Sequence, residues 1–183
     1  MSQALAGSQA AVEQIVRRYQ RPVIRLIARI VGDPTLAEDL AQETFVKAFR
    51  SLAAFDPARR LSSWLFRIAH NTAIDATRRA RVPVVPLDAA GPGAAAEPMA
   101  AAAPDPVEQR TLGTALAAAL RRVRPEYRAA VTLRYEEDLS FEAIGQILGI
   151  PTATARSHVH RARKELARHL ADAGWQPPQA QRR

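Results

Sequence analysis

Residues 139–166 read LSFEAIGQILGIPTATARSHVHRARKEL, and the character of the chain changes at their middle. Up to Ile150 the stretch is apolar, with Glu142 its only charge; after Pro151 come Arg156, Arg161, Arg163 and Lys164, with Glu165 as the single acid. Phe141, Ile144, Ile147 and Leu148 recur at helical spacing behind Ser140, whose hydroxyl suits an N-cap. Gly149 stands where the end of that helix wants a left-handed residue. Ile150 can plug the corner between helices, and Pro151 or Thr152 opens the next. On that second helix Ala155, Val159, Ala162 and Leu166 share an inner stripe, leaving Arg156, Ser157, His160, Arg161 and Lys164 outward. A short helix, a glycine turn and a second helix make a helix-turn-helix. In such units the second helix enters the major groove, with its N-terminal residues against base edges. The break separates a helix for packing from a helix for reading. A basic solvated helix on any all-α domain is the plainer alternative.

The whole chain supports the same direction. Its 183 residues suit one ordinary domain or two small ones, and a formal net charge of +8 with a pI near 11 points to polyanions. Of the 26 cations 24 are arginine, which suits phosphate contacts without proving them. Cysteine is absent, which excludes disulfides and thiolate chemistry. No apolar run has the length of a membrane span, and MSQALAGSQAAVEQ lacks the apolar region of a signal peptide, so a cytoplasmic location is expected.

Proline at 83, 86, 92, 98, 104 and 106 and alanine-rich low complexity mark residues 82–106 as a linker. By segment the net charge is +6 over 1–81, −3 over 82–107 and +5 over 108–183, so two basic blocks flank an acidic tether. The expected architecture is all-α: two small helical domains that fold independently. In the first, Val12, Ile15, Val16, Tyr19, Val23, Leu26, Ile27 and Ile30 predict a helix that Pro22 should kink or divide. Asp33-Pro34 reads as an N-cap followed by proline at the first helical position, opening a helix to about Leu52. Leu36, Leu40, Phe45, Phe49 and Leu52 form its core stripe, with Asp39, Gln42, Glu43 and Val46 on another side. Ser62 or Ser63 then caps a helix carrying Leu65, Ile68, Ala69 and Thr72 inward. In the second block helices are expected over about 107–122 and from Pro125 to near Tyr135, ahead of the helix-turn-helix.

EDLAQETFVKAFRSLAAF, SSWLFRIAHNTAIDATRRAR and the opening stretch together resemble the bacterial sigma factors of the extracytoplasmic-function group. The first two passages resemble the family's region 2, which melts promoters, and the third its region 4, which binds the −35 element. The resemblance divides the chain into region 2 at 8–81, the linker at 82–106, region 4 at 107–171 and a short tail at 172–183. It implies core RNA polymerase (its β′ coiled coil and β flap), promoter DNA and an anti-sigma factor as partners, with no membrane insertion.

The same resemblance implies roles. Asp39, Gln42 and Glu43 match the positions that dock on the β′ coiled coil. The loop from Phe55 to Ser63 and the following helix match the −10 surface, with Arg59, Arg60, Trp64, Arg67 and Asn71 as its contacts; a tryptophan at a helix start is also a common core residue. Arg156, Ser157 and His160 match base-reading positions, while Thr154, Arg161, Arg163 and Lys164 are expected on phosphates. Ala153 and His158 depart from the commonest family pattern, which has glycine and arginine there. The acidic linker resembles the family's connector through the polymerase cleft.

Catalysis is not expected. His158 and His160 lie two apart on a helix and diverge; His70 and Asp75 lie five apart with no nucleophile or ligand cluster near. No glycine-rich phosphate loop is present, so neither a metal nor a cofactor is expected. The serious rival is an ordinary helix-turn-helix regulator whose first block senses a ligand or dimerises, which leaves the acidic QET face unexplained.

Overall fold

A computed structural model describes residues 8–81 and 112–175, and among these every regular element is helical. The linker reading of 82–106, the start of a helix at 107 and most of the 172–183 tail lie outside the described residues.

Helix α1 spans Gln9–Val31, capped by the Ser8 hydroxyl and ended by Gly32 at φ 82°. It is not divided at Pro22. A proline inside a helix costs about 3 kcal/mol, but Val23, Leu26, Ile27 and Ile30 just beyond it are buried, at about 1.5–3 kcal/mol each. Tertiary packing therefore outweighs the local break. Asp33 caps α2 (Pro34–Arg50) as expected, its carboxylate accepting from the Thr35 and Leu36 amides at 2.8 and 3.2 Å. A single 3₁₀ turn follows at Leu52–Ala54.

The core side of α2 is Ala37, Leu40, Ala41, Thr44, Phe45 and Ala48. Leu36, expected in that stripe, is 40% exposed, because alanines bring α1 and α3 close and rotate the buried face away from it. Helix α3 spans Leu61–Arg81, two residues earlier than a Ser62 cap would set it and three earlier than a Ser63 cap. Asp56 and Pro57 build their own turn first: the Asp56 carboxylate accepts from the Ala58 amide at 2.9 Å and its carbonyl from the Arg59 amide at 3.0 Å. Ser62 and Ser63 thus fall inside the first helical turn. Leu65, Phe66, Ala69, Thr72 and Ala73 face inward.

In the second block α4 spans Leu112–Arg122, α5 Pro125–Tyr135, α6 Phe141–Leu148 and α7 Thr152–Asp172. A satellite core of Leu120, Val123, Tyr127, Val131 and Ala162 joins α4, α5 and α7. The larger core is not confined to either block. It runs from Val23, Leu26, Phe45 and Phe66 through Leu133, Leu139, Ile144 and Ile147 to Ala155 and Val159. Two cores that the sequence reads as separate are one, because α1 packs on α5 and α3 on α6.

Candidate nucleic-acid and polymerase interface

The helix-turn-helix is assembled from its backbone outward. Asp138, in the left-handed region at φ 48°, turns the chain after α5, and the Leu139 amide returns to the Leu133 carbonyl at 3.1 Å. Arg134 braces this turn, donating to the Leu139 carbonyl at 2.8 Å with its guanidinium 5.1 Å from the centre of the Phe141 ring. Ser140 caps α6, accepting from the Ala143 amide at 3.2 Å. Gly149 closes α6 at φ 68°, donating to the Gly145 carbonyl, and Ile150 donates to the same oxygen at 3.0 Å. Gly145 is required for another reason. A β-carbon there would meet the Ile150 carbonyl oxygen at 2.8 Å, so the tight turn admits no side chain at 145.

On α7, Ala155, Val159 and Ala162 are buried and Leu166 half-buried, while Arg156, Ser157, His160, Arg161, Arg163 and Lys164 are exposed and Thr154 is half-buried. Arg156 lies over the Phe141 ring at 5.2 Å, which keeps its guanidinium beside the first turn of α6. It also faces Glu142, whose carboxyl is held below its ordinary range by backbone and Ser140 hydrogen bonds and, to a lesser extent, by Arg156. Arg161 is engaged within the domain: it donates to the Tyr127 hydroxyl at 3.0 Å, and that bond raises its pKa further. His158 turns inward and meets the Tyr127 ring at 4.9 Å with the two planes tilted by 60°, and burial lowers its pKa. His158 and His160 therefore diverge, as their spacing predicts.

In the first block Asp39, Gln42 and Val46 are exposed and Glu43 half-exposed, with Leu36 added to the same strip of α2. Once the buried side of α2 is set, Leu36 falls on this face, since 36, 39, 43 and 46 keep helical spacing. Glu43 also pairs with Lys47 at 2.7 Å. Arg59, Arg60, Arg67 and Asn71 are exposed, and Ser63, expected as a cap or loop residue and not as a contact, joins Arg59, Arg60, Trp64 and Arg67 around one cavity. Trp64 is half-buried and meets Phe55 edge-on at 5.2 Å, so one side of its ring packs and the other borders that cavity.

A third surface gave little signal in the sequence. Leu112, Leu116 and Tyr135 are exposed on the outer side of the second block, and Leu116, Tyr135 and half-buried Leu166 border one shallow apolar groove. Among the described residues no cluster of metal-ligating side chains occurs, and no helix is long and apolar enough to cross a membrane.

Comparison with known proteins agrees with this geometry. Residues 15–82 match sigma-70 region 2 and residues 114–166 match sigma-70 region 4. The chain is 38% identical to the ECF RNA polymerase sigma factor SigE of Mycolicibacterium smegmatis over 90% of its own length and 65% of that protein's. It is 33% identical to the ECF RNA polymerase sigma factor SigW of Bacillus subtilis, covering 94% of this chain and 95% of the relative. In fold it is similar to CnrH solved with the cytosolic domain of CnrY, at a TM-score of 0.64 and 24% identity over 95% of this chain and 96% of that one. It is likewise similar to RpoE of Bartonella quintana solved with the anti-sigma factor NepR, at 0.66 and 22% over 87% and 96%. With its two sigma-70 regions in order and a relative matched almost end to end, the chain belongs to the extracytoplasmic-function RNA polymerase sigma factors.

Proposed function

We propose that this sigma factor docks on core RNA polymerase through the exposed strip of α2 and directs promoter-specific initiation through two DNA surfaces. Leu36, Asp39, Gln42, Glu43 and Val46 supply a mixed acidic and apolar face for the β′ coiled coil. The groove bordered by Leu116, Tyr135 and Leu166 suits the β flap. Arg59, Arg60, Trp64, Arg67 and Asn71 serve the −10 element, where a base leaving the stack needs an aromatic surface, an amide and cations for its backbone. Arg156, Ser157 and His160 read −35 base edges, while Thr154, Arg161, Arg163 and Lys164 hold phosphates. The chain acts by binding in the cytoplasm, without covalent chemistry. An anti-sigma factor is the natural antagonist of a helical surface exposing Leu36, Val46 and Tyr135.

The observation that carries this reading is the contrast of surfaces on one basic protein: an acidic-apolar strip on α2 and a cationic, hydroxyl-bearing strip on α7. An ordinary regulator needs only the second. The test is run-off transcription with core polymerase on the DNA upstream of the chain's own gene. A discrete transcript that requires the added chain is the expected result. No transcript, together with no co-purification of polymerase, would leave the regulator reading in its place.

A further inference from the structure

Phe141 is the first residue of α6, half-buried against the core, and two arginines meet over its ring. The Arg134 guanidinium lies 5.1 Å from the ring centre and the Arg156 guanidinium 5.2 Å. The two are held differently. Arg134 is half-buried and donates to the Leu139 carbonyl at 2.8 Å, which fixes it to the turn ahead of α6. Arg156 is exposed, and among the described residues it makes no hydrogen bond and no ion pair. Glu142, which faces it, is engaged first by backbone and Ser140 hydrogen bonds. The ring therefore supplies what no polar partner does, a fixed seat for the Arg156 guanidinium. The attraction comes from the ring quadrupole and uses no hydrogen-bond acceptor, so the in-plane N–H donors stay free. A bidentate contact with guanine O6 and N7 needs those donors. Arginine is also rich in rotamers, and freedom removed before binding is not lost again in the groove. Phenylalanine has no hydroxyl to offer a phosphate or a base, so Phe141 acts through its ring alone.

We propose that Phe141 is a positioning residue for −35 recognition: its ring, clamped by Arg134, holds the Arg156 guanidinium in its reading orientation before DNA arrives. Phe141 thereby sets how sharply one base pair is read without touching it. This rests on the reading of Arg156 as a base contact and goes beyond it, because it gives selectivity to a residue of α6, outside the reading strip of α7. The two arginines over one ring then have separate tasks. Arg134 locks the turn and the ring, and Arg156 uses the locked ring as a platform.

The test joins side-chain order in the free chain to base preference on polymerase. By nuclear magnetic resonance the Arg156 Nε–H order parameter should exceed about 0.6 in the wild type and in Phe141→Tyr, which keeps the ring. It should fall below that value in Phe141→Leu and Phe141→Met, which keep apolar bulk without a ring. Promoter selection with core polymerase should then show preference at the Arg156 position reduced roughly 3–10-fold in the Leu and Met variants, the loss of one cation–π contact. Preference at the other −35 positions should hold, and Phe141→Tyr should match the wild type. In an Arg156→Ala background, Phe141→Leu should change that preference no further. A loss spread over all positions, a further loss in that background, or an Arg156 already mobile in the wild type overturns the proposal. Should neither replacement fold, the Arg156 Cδ protons of the wild type decide: ring-current shifts to high field support the seat, and random-coil positions overturn it. If Arg156→Ala itself leaves base preference unchanged, the base reading falls and this proposal with it. If Arg156→Ala alters preference and the Phe141 variants do not, the proposal alone falls.

Discussion

Helices α2 and α7 are built alike and face the world differently. Each buries a stripe of small and aliphatic residues, Ala37, Leu40, Ala41 and Ala48 in one and Ala155, Val159 and Ala162 in the other. Each leaves an opposite strip exposed. On α2 that strip alternates acid and apolar side chains, with Leu36 at 40% and Val46 at 49% exposure. On α7 it carries Arg156, Ser157, His160, Arg163 and Lys164 and no large apolar group. Burial follows the helical period, and the unburied remainder names the partner. A mixed acidic and apolar strip gains by desolvation against protein, whereas cations and hydroxyls gain against phosphates and base edges.

Reversing the sign of one strip is the strongest way to break that contrast. Asp39→Lys with Glu43→Lys should abolish co-purification with core polymerase, a loss of 100-fold or more at about 2–5 kcal/mol for charges turned against their partner. Circular dichroism should show unchanged helix content, because Asp39 is exposed, Glu43 is half-exposed, and neither belongs to the buried stripe of α2. Retained binding would remove α2 from the interface.

The scaffold under the second strip can be broken without touching a DNA contact. Gly145→Ala forces a β-carbon against the Ile150 carbonyl oxygen, so the α6–α7 angle must change. The expected cost is about 1–3 kcal/mol of stability, read as a lowered thermal midpoint, with weakened binding to every promoter.

Within α7, two kinds of side chain can be told apart by what they change. Arg156→Ala should cost about 1–3 kcal/mol on a cognate promoter and relax preference at one −35 position. Arg163→Ala or Lys164→Ala should weaken all promoters alike and reduce the salt slope by about one unit. Promoter selection followed by sequencing separates the outcomes; a uniform loss for Arg156→Ala would make it a phosphate anchor.

The smallest effect concerns His158, the member of the second helix that the fold withdraws from the strip. Burial lowers its pKa from 6.5, so the unfolded chain binds its proton more readily. Its contribution to stability is complete above about pH 6.5 and is lost as pH falls through the lower folded value. His158→Gln should flatten the pH dependence of the thermal midpoint in that range while leaving −35 preference unchanged. A shift in preferred bases would return His158 to the reading face.

Much of the helix-turn-helix was legible because its instructions are local. Ser140 caps the next turn, Gly149 supplies the left-handed residue, and Ala155, Val159 and Ala162 repeat at the helical period. Asp33 and Pro34 open α2 by the same short-range chemistry. What misled was local too: Pro22 and Ser62 send signals that hold only while no larger energy opposes them. The buried run from Val23 to Ile30 overrides the first, and the Asp56 turn pre-empts the second.

The sequence by itself therefore determined the helices, the caps of α2 and α6, the division of charge and the exposed reading strip, since each depends on neighbours within about one helical turn. Only the tertiary structure decided that Leu36 faces out, that His158 faces in against Tyr127, and that the two blocks share a core. The Arg25–Glu137 contact joins residues 112 positions apart. No periodicity encodes such a pairing; it exists because α1 and α5 each carry apolar surface that their own blocks leave uncovered, and burying it brings the opposite charges together.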